Sequence, residues 1–296
     1  MHKVLIVDDE KSGNNSKMNT KNQYTRRELL TRLALVPALL AASRTDLLGN
    51  PSQKGYVSLF DGKTLTGWHT NKEKIGHGTG GRWQVEKGVL TGEQDPPGSG
   101  NGGMLMTEKK YGDFELEIDL MPDWGIDSGV FIRTNEKGEC FQIYVDYRNG
   151  GHIAFISTEG KDRMYIRPFY IDGIMDDKGN LIGFETLPDK RDVAWKPDYL
   201  LYHATPEIWK KAWKIGKWNT MRIRCVGKYP RITTWLNNVM ICDFDGETCP
   251  SPLYRKEQLA VELGREGHIA LQIHGGKGSW KDGSKCRWKN IRIKEL

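Results

Sequence analysis

The sequence predicts an all-β fold, a two-sheet antiparallel β-sandwich. Three observations lead to this prediction. Short runs alternate apolar and polar residues with the period of two that a half-buried strand shows. Turn-forming residues separate these runs, as in Asn149-Gly150-Gly151 and Asp282-Gly283. A helical period is confined to one short stretch. Many short strands with turn signals between them are typical of a sandwich.

Nine runs predict strands. The clearest is Phe114–Leu120, in which apolar residues alternate with an acidic row of Glu115, Glu117 and Asp119. Residues four apart on a strand lie ~13 Å from each other, well beyond the ~5.5 Å between the carboxyls of a retaining glycosidase. We therefore expect the acidic row to be a solvated face. The other predicted strands are Ser128–Thr134, Cys140–Asp146, His152–Ser157, Thr220–Val226, Ile232–Asn237, Val239–Phe244, His268–His274 and Arg287–Lys294.

The region from about residue 159 to residue 217 is the least regular part of the sequence. We interpret it as a long loop and short-helix insertion between strands. Within it, Pro206 follows Thr205, a residue type that caps helix N-termini, and Pro is favoured at the first helical position. The spacing predicts a short helix with Trp209 and Trp213 on one face. We expect both tryptophans to border a ligand groove.

Composition excludes several classes of protein. Hydrophobic residues make up 38% of the chain and charged residues 28%, which is too apolar for a disordered protein. The formal net charge is +6, but residues 1–43 hold seven Lys and Arg against four Asp and Glu. Residues 44–296 hold the remaining 37 Lys and Arg against 34 Asp and Glu, a net charge of +3. This charge is too small to indicate a nucleic-acid-binding surface. Five cysteines without a CxxC pair argue against a disulfide scaffold, a zinc finger and a redox motif.

Residues 18–43 resemble an export signal. Arg26 and Arg27 precede a ten-residue apolar run at 33–42, which is too short to span the ~30 Å hydrocarbon layer, and small residues follow it. Paired arginines in this position are typical of bacterial twin-arginine signals. The alternative is an amphipathic core helix with Arg32 on its polar face. We expect a periplasmic or secreted protein without a membrane span in its mature form. Residues 1–17 are interpreted as extraneous, 44–54 as a linker and 55–296 as the β-sandwich domain.

An ordered set of short motifs covers this domain. They are Leu59–Trp68, Trp83–Leu90, Tyr111–Leu116, Asp127–Arg133, Lys217–Ile223, Trp235–Asn238, Gly267–Gly275 and Trp288–Ile293. Together they resemble the 3-keto-disaccharide hydrolase domain family over about residues 56–296. The resemblance implies a concanavalin A-like lectin/glucanase jelly roll that acts on 3-keto glycosides. One departure is Cys140, which stands where many members of the family have Glu, while Glu139 falls on the opposite face. The resemblance therefore does not imply a catalytic acid or base at position 140.

Strand alternation indicates which polar residues share a face. Gln142 and Asp146 alternate with apolar neighbours in one predicted strand, as Gln272 and His274 do in another. Because the apolar faces must meet in the core, these four polar side chains point outward, into a concave groove or from a convex back.

His274 is the strongest catalytic candidate. It ends a strand beside Gly275-Gly276, where a backbone can approach a ligand closely, and its imidazole titrates near neutral pH. The resemblance also implies His274, which matches the histidine of the family's Leu-Gln-x-His-Gly motif. Asp146 is expected to orient His274, to serve as the alternative base or to ligate a divalent metal. The sequence specifies no cofactor, and a divalent metal stays open.

Donors and stacking residues complete the predicted site. Arg133 and Gln142 are expected to polarise the keto oxygen. The predicted substrate-binding residues are Trp124, Asp127, Arg167, Gln272, Trp235 and Lys277.

The favoured function is cleavage of the glycosidic bond in a 3-keto glycoside, as the family resemblance implies. A ketone at C3 acidifies the hydrogen at C2, so one base can remove it, and the C1 leaving group then departs before water adds. The partner is a carbohydrate substrate. The alternatives are a non-catalytic, lectin-like carbohydrate-binding module and a retaining glucanase, and carboxylate spacing disfavours the latter.

Overall fold

The computed structural model describes residues 55–160, 164–188 and 196–296. The predicted extraneous segment 1–17, the export signal 18–43 and the linker 44–54 lie outside the described residues. Within the described ranges, none of the helices has the length and apolar character that crossing a membrane requires.

Strands dominate the described chain. They are β1 (Val57–Ser58), β2 (Trp68–Thr70), β3 (Arg82–Glu86), β4 (Val89–Glu93), β5 (Gly103–Thr107), β6 (Phe114–Leu120), β7 (Gly129–Thr134), β8 (Cys140–Val145), β9 (Ile153–Glu159), β10 (Tyr165–Ile166), β11 (Phe169–Met175), β12 (Leu181–Pro188), β13 (Tyr202–His203), β14 (Asn219–Val226), β15 (Arg231–Leu236), β16 (Val239–Asp245), β17 (His268–Ile273) and β18 (Cys286–Glu295). The helices are α1 (Pro206–Ala212), α2 (Lys256–Leu263) and a 3-10 turn at Pro197–Tyr199.

Two antiparallel sheets form the sandwich, which confirms the predicted fold class. The nine-stranded sheet has the order β13-β16-β15-β14-β6-β18-β4-β3, with β1 paired to β18. The seven-stranded sheet has the order β10-β9-β8-β7-β17-β5-β2. Strands β11 and β12 form a separate two-stranded hairpin, which we call the arm, and an isolated bridge joins Ile171 of β11 to Gly151. All nine predicted strands are present, with ends that differ by one or two residues.

The core lies between the two sheets, where the apolar faces meet as the alternation predicts. Leu116 and Ile118 of β6 face Ile143 of β8 and Ile269 and Leu271 of β17, and all five side chains are fully buried in one hydrophobic cluster. Burial of side chains of this size is the main favourable contribution to folding. The polar residues of β8 and β17 are thereby directed to the outer face of the seven-stranded sheet.

The insertion is more ordered than the sequence indicates. Helix α1 begins as predicted, because the Thr205 side chain accepts a hydrogen bond from the amide of Ile208 at 3.4 Å. The expectation that its tryptophans border a groove is wrong. Trp209 is fully buried. Its ring stacks on that of Trp213, with 6.1 Å between the ring centroids, and it packs edge-on against Phe184 of the arm, with 5.3 Å between the ring centroids. These rings fill the core that joins the arm to the sandwich.

The acidic row lies on the outer face of the nine-stranded sheet. The expectation of a solvated face is wrong for Glu117, which is only 2% exposed and accepts a hydrogen bond from Nε of Arg292 at 2.8 Å. Glu115 lies 3.6 Å from Arg224, and Asp119 accepts from Thr220 at 2.6 Å. The register of β6 between β14 and β18 places these partners beside the row, so the row is structural.

Candidate active site

The predicted polar residues meet at one end of the seven-stranded sheet, where β7 begins and β8 and β17 end. On the outer face, the register aligns Gln272 with Met104 and Gly129 with Tyr144. His274 and Asp146 come directly after the last residues of β17 and β8, and Asp127 lies two residues before the first residue of β7. The amide of His274 donates to the Asp127 carbonyl at 3.3 Å, which fixes this end of β17 against the start of β7.

Two carboxyls form the centre of the cluster. Asp146 and Asp127 are both buried and their side chains are in hydrogen-bonding contact. Burial, followed by the charge of Asp127 and the hydrogen bond to it, raises the pKa of Asp146 well above its usual range, against the opposing effect of Arg148 and Arg167. Asp127 accepts from Nη2 of Arg148 at 2.6 Å. Two adjacent buried carboxyls cannot both ionise cheaply, so burial and the neighbouring charge of Asp127 favour the protonated form of Asp146.

Asp146 also has a free acceptor and donor position. Its Oδ1 atom is buried and has no hydrogen-bond partner among the described residues. An unpaired buried polar atom costs about 1–3 kcal/mol, and in a cleft it is an available contact for a ligand. A protonated carboxyl in this position can donate to an oxygen of a bound molecule.

His274 can act as a base through one defined nitrogen. Its Nδ1 is hydrogen-bonded to the carbonyl oxygen of Gly275, and a carbonyl only accepts, so Nδ1 carries the proton. Nε2 is then the basic atom. The ring is half-buried and lies 5.9 Å from the ring of His77, which belongs to the loop between β2 and β3.

Two glutamines supply amide groups on the same sheet face: Gln272 is two residues before His274, and Gln142 is four residues before Asp146. Gln142 is 3% exposed and accepts from Ser157 at 3.1 Å. It leans over Gly129, where an added Cβ would come within 2.8 Å of the Gln142 Nε2 atom. Gln272 is equally buried, and its Oε1 has no partner within the described ranges. Both amides are therefore held in place with hydrogen-bonding capacity left for a ligand.

The insertion contributes Arg167 to the site. Its guanidinium lies 4.4 Å from the ring centroid of Tyr165 and 5.8 Å from that of Tyr144. The positive charge of Arg167 partly opposes the rise in the pKa of Asp146. Tyr144 in turn lies 5.4 Å from His152, whose Nδ1 is hydrogen-bonded to the carbonyl of Phe169 at 2.9 Å. Burial raises the pKa of Tyr144, so its hydroxyl stays protonated.

Two predicted site residues lie elsewhere. Arg133 is at the opposite end of β7, where its guanidinium donates to Asp113 and to the carbonyls of Gly112 and Gly227, each at 3.1 Å. It is 1% exposed and ties loops together, so it cannot polarise a keto oxygen at this site. Trp235 is on the outer face of the nine-stranded sheet, beneath the guanidinium of Arg222 at 4.0 Å, and cannot stack on a sugar bound here.

The remaining predicted residues border the cluster. Trp124 is half-buried and lines a cavity of about 610 Å³ that also contains Arg148. Lys277 is exposed in the loop that follows His274. Sequence reasoning missed His77, Tyr144, Arg148 and His152. Of these, Tyr144 alternates with Gln142 and Asp146, so the pattern already contained that signal.

Cys140 occupies an apolar part of the same outer face. It packs with Met104, Met106, Phe131 and Ala270 beneath Ile75 of the β2–β3 loop. Burial raises the pKa of the Cys140 thiol well above its usual range, so the thiol is no nucleophile.

The donor set for a metal is incomplete in the described part of the chain. No group of three or more His, Cys, Asp and Glu side chains gathers there. Asp127 and Asp146 offer two carboxyl groups, but they are hydrogen-bonded to each other and Arg148 already pairs with Asp127.

Comparisons with known proteins place this geometry in context. The model of a family described as a 3-keto-alpha-glucoside-1,2-lyase-like domain matches residues 55–294. A 3-keto-disaccharide hydrolase of Bacteroides thetaiotaomicron is 25% identical over 280 residues, 87% of this chain and 84% of that protein. A candidate glycosyl hydrolase of Parabacteroides distasonis has a TM-score of 0.43 and 19% identity, over 82% of this chain and 94% of that chain. The β-glucanase of Bacillus licheniformis has a TM-score of 0.42 and 12% identity, over 83% and 100%.

Proposed function

The chain belongs to the 3-keto-alpha-glucoside-1,2-lyase-like domain family, and from this premise we propose that it cleaves the glycosidic bond of 3-keto glycosides. The family and the curated relative make it a carbohydrate-active protein of hydrolase type. The observation that carries the finer proposal is the combination at the active site: a His274 ring with Nε2 as its basic atom, and a buried Asp146 with a raised pKa and an unpartnered Oδ1, at the same end of one sheet face.

The first half of the reaction is an elimination. The C3 ketone acidifies the C2 hydrogen, so His274 Nε2 takes that proton and the C2–H electron pair moves into an enolate on the keto oxygen. The enolate collapses, a C1–C2 double bond forms, and the C1–O bond to the leaving group breaks. Asp146 donates its proton to the departing oxygen, which leaves as a neutral alcohol.

The second half is a hydration. Water adds at C1 of the unsaturated ketone and returns a proton to Asp146, while the His274 imidazolium returns the first proton to C2. Both side chains regain their starting protonation states, and the net change is hydrolysis. If the unsaturated sugar leaves before water adds, the same residues perform a lyase reaction.

Amide and guanidinium groups would stabilise the developing charge. Gln142, further along the same face of β8, keeps its predicted role of polarising the keto oxygen, and Arg167, whose charge acts on Asp146, takes the place of Arg133. Preorganised donors in this role are worth several kcal/mol. His274 and Asp146 lie two strands apart, about 10 Å between backbones at the usual strand spacing. A pyranose ring between them would present C2 to one side chain and the C1 oxygen to the other.

A retaining glucanase mechanism fits this site poorly. Its nucleophile attacks C1 while its acid, ~5–5.5 Å away, protonates the glycosidic oxygen, whereas Asp127 and Asp146 are hydrogen-bonded to each other. The competing proposal of a non-catalytic, lectin-like module needs neither the proton on Asp146 nor a basic His274.

The test is cleavage of matched substrates by the purified protein. We expect sugar release from a 3-keto disaccharide and none from the same disaccharide without the ketone. His274→Ala should lower the rate ~10²–10⁴-fold, the usual loss for a general base, with an unchanged melting temperature. His203→Ala is the matched control, since His203 is also half-buried but lies on the nine-stranded sheet.

Three results would contradict the proposal. Cleavage of both disaccharides would indicate an ordinary glycosidase. Binding of the keto substrate without turnover would favour the lectin-like module. A His274→Ala variant with nearly wild-type turnover would remove His274 from the mechanism.

A further inference from the structure

A second binding feature adjoins the catalytic cluster. The cavity of about 610 Å³ opens beyond the start of β7 and lies within the ~300–1,000 Å³ range of small-molecule sites. Its lining includes Trp124, Arg148, Asn149, Met175, Trp280 and Lys281. The mechanism above uses none of these side chains in a proton transfer.

Two elements of different origin form its walls. Met175 comes from the tip of the arm, the β11–β12 hairpin. Trp280 and Lys281 come from the loop that also carries His274. The Lys281 amide donates to the Gly125 carbonyl at 2.8 Å, and Ile126 pairs with both Trp280 and Tyr147. The insertion and the catalytic loop therefore meet around this cavity.

Arg148 connects the cavity to the proton on Asp146. Its guanidinium lines the cavity and donates to Asp127, which contacts Asp146. In the proposed elimination, Asp146 protonates the departing oxygen, so the leaving group must extend from C1 on the Asp146 side. The cavity, whose lining includes Arg148 two residues beyond Asp146, can receive it.

Trp124 is held in place before any ligand binds. Its ring stands edge-on to Tyr147 at 5.0 Å and lies 5.9 Å from Phe184 of the arm. Gly173 allows this approach, because an added Cβ there would come within 2.6 Å of the Trp124 Cζ2 atom. A preorganised aromatic ring with Arg, Asn and Lys nearby suits a sugar, which has apolar C–H faces and many hydroxyls.

We propose that this cavity binds the leaving-group sugar of a 3-keto disaccharide and that Trp124 and the arm select for that sugar. The proposal rests on the function proposed above and adds to it a specificity for disaccharides over glycosides with small leaving groups. It also gives the arm a role, as one wall of this subsite.

The experiment compares two substrates that share the same 3-keto sugar, a disaccharide and a methyl glycoside. Trp124→Ala should lower kcat/KM for the disaccharide about 10- to 100-fold, as expected for loss of a central aromatic contact, and change that for the methyl glycoside less than about threefold. Trp218→Ala is the matched control, because Trp218 is also half-buried but lies beneath Lys289 beside the nine-stranded sheet.

A second variant protects the test against misfolding. Lys281 is exposed, so the Lys281→Ser variant should fold normally. It should lower kcat/KM for the disaccharide more than kcat/KM for the methyl glycoside. If the wild-type protein cleaves neither substrate, the proposed function fails, and this proposal fails with it. If it cleaves both, and the variants lose both equally or neither, the subsite is wrong while the function stands.

Discussion

At the scale of single residues, the central feature is the raised pKa of Asp146, which burial and the neighbouring Asp127 cause. A carboxyl that stays protonated in the folded protein has a pKa above that in the unfolded chain, about 3.9. Below that pH both states hold the proton and stability is unaffected. As the pH rises, the unfolded chain releases a proton that the folded chain keeps, so unfolding becomes more favourable until the pH passes the folded pKa.

We therefore predict that Asp146→Asn changes the pH dependence of stability. Asn cannot ionise, so the melting temperature of the variant relative to wild type should rise from pH 4 to pH 7. The same variant should lose ~10²–10⁴-fold in the rate of 3-keto glycoside cleavage, because the general acid is gone. Melting curves at pH 4, 5.5 and 7 on the same samples measure both the size and the sign of the effect.

Asp61→Asn is the control with the opposite sign. Hydrogen bonds from Thr64 and Lys63 lower the pKa of the exposed Asp61. The melting temperature of the wild type relative to this variant should therefore rise as the pH rises. Parallel pH dependence in the two variants would show that Asp146 is ionised in the folded protein.

At the scale of secondary-structure elements, the insertion is anchored through its aromatic residues. Helix α1 buries Trp209 against Phe169 and Phe184 of the arm, at 6.3 and 5.3 Å. Arg167, close to Asp146, lies just before the arm, and the arm itself presents Met175 at the cavity. Packing of α1 therefore holds the arm in place together with the backbone hydrogen bonds between Ile171 and residues 150 and 151.

Trp209→Ala should consequently be a stability variant. Removing a fully buried Trp costs about 3–5 kcal/mol through lost burial and the cavity left behind, whereas Ile208→Ala on the exposed side of the same helix should cost far less. Chemical denaturation of both variants measures the difference. Equal stability of the two would contradict the core role of Trp209, and a loss of sugar binding without destabilisation would restore the groove interpretation.

At the scale of the whole molecule, the two ends of the described chain close the same sheet. Strand β1 pairs with β18, Val57 opposite Ile293, and β18 also pairs with β6 and β4 in the middle of the nine-stranded sheet. The terminal strand is therefore central to the fold, and the first pairing needs no residue before Val57.

A polypeptide of residues 55–296 should accordingly fold alone. We expect the same β-rich circular dichroism spectrum and the same melting temperature as the full chain, because every pairing of the two sheets is kept. Insolubility, or a melting temperature well below that of the full chain, would show that residues 1–54 contribute to the packing of the domain.

Local alternation accounts for what could be predicted. Strand positions, the outward direction of Gln142, Asp146, Gln272 and His274, and the start of the helix after Thr205 all follow from properties of neighbouring residues. Helix α2 was missed, although Leu259 and Leu263 are spaced for one buried face. The family resemblance, carried by an ordered set of short motifs, is confirmed by the match over residues 55–294.

Sequence by itself therefore determined the sandwich and the residues that leave its core, and only the tertiary structure decided where those residues meet. A period of two states that a side chain points away from the core. It does not state which sheet, or which end of a sheet, the side chain occupies, because that depends on pairings between distant strands. For this reason Arg133 and Trp235 lie away from the site, at the far end of β7 and on the other sheet, whereas Arg148, which was not predicted, lies beside the predicted Asp127. The raised pKa of Asp146 has the same origin, since folding alone buries Asp146 and places Asp127 beside it.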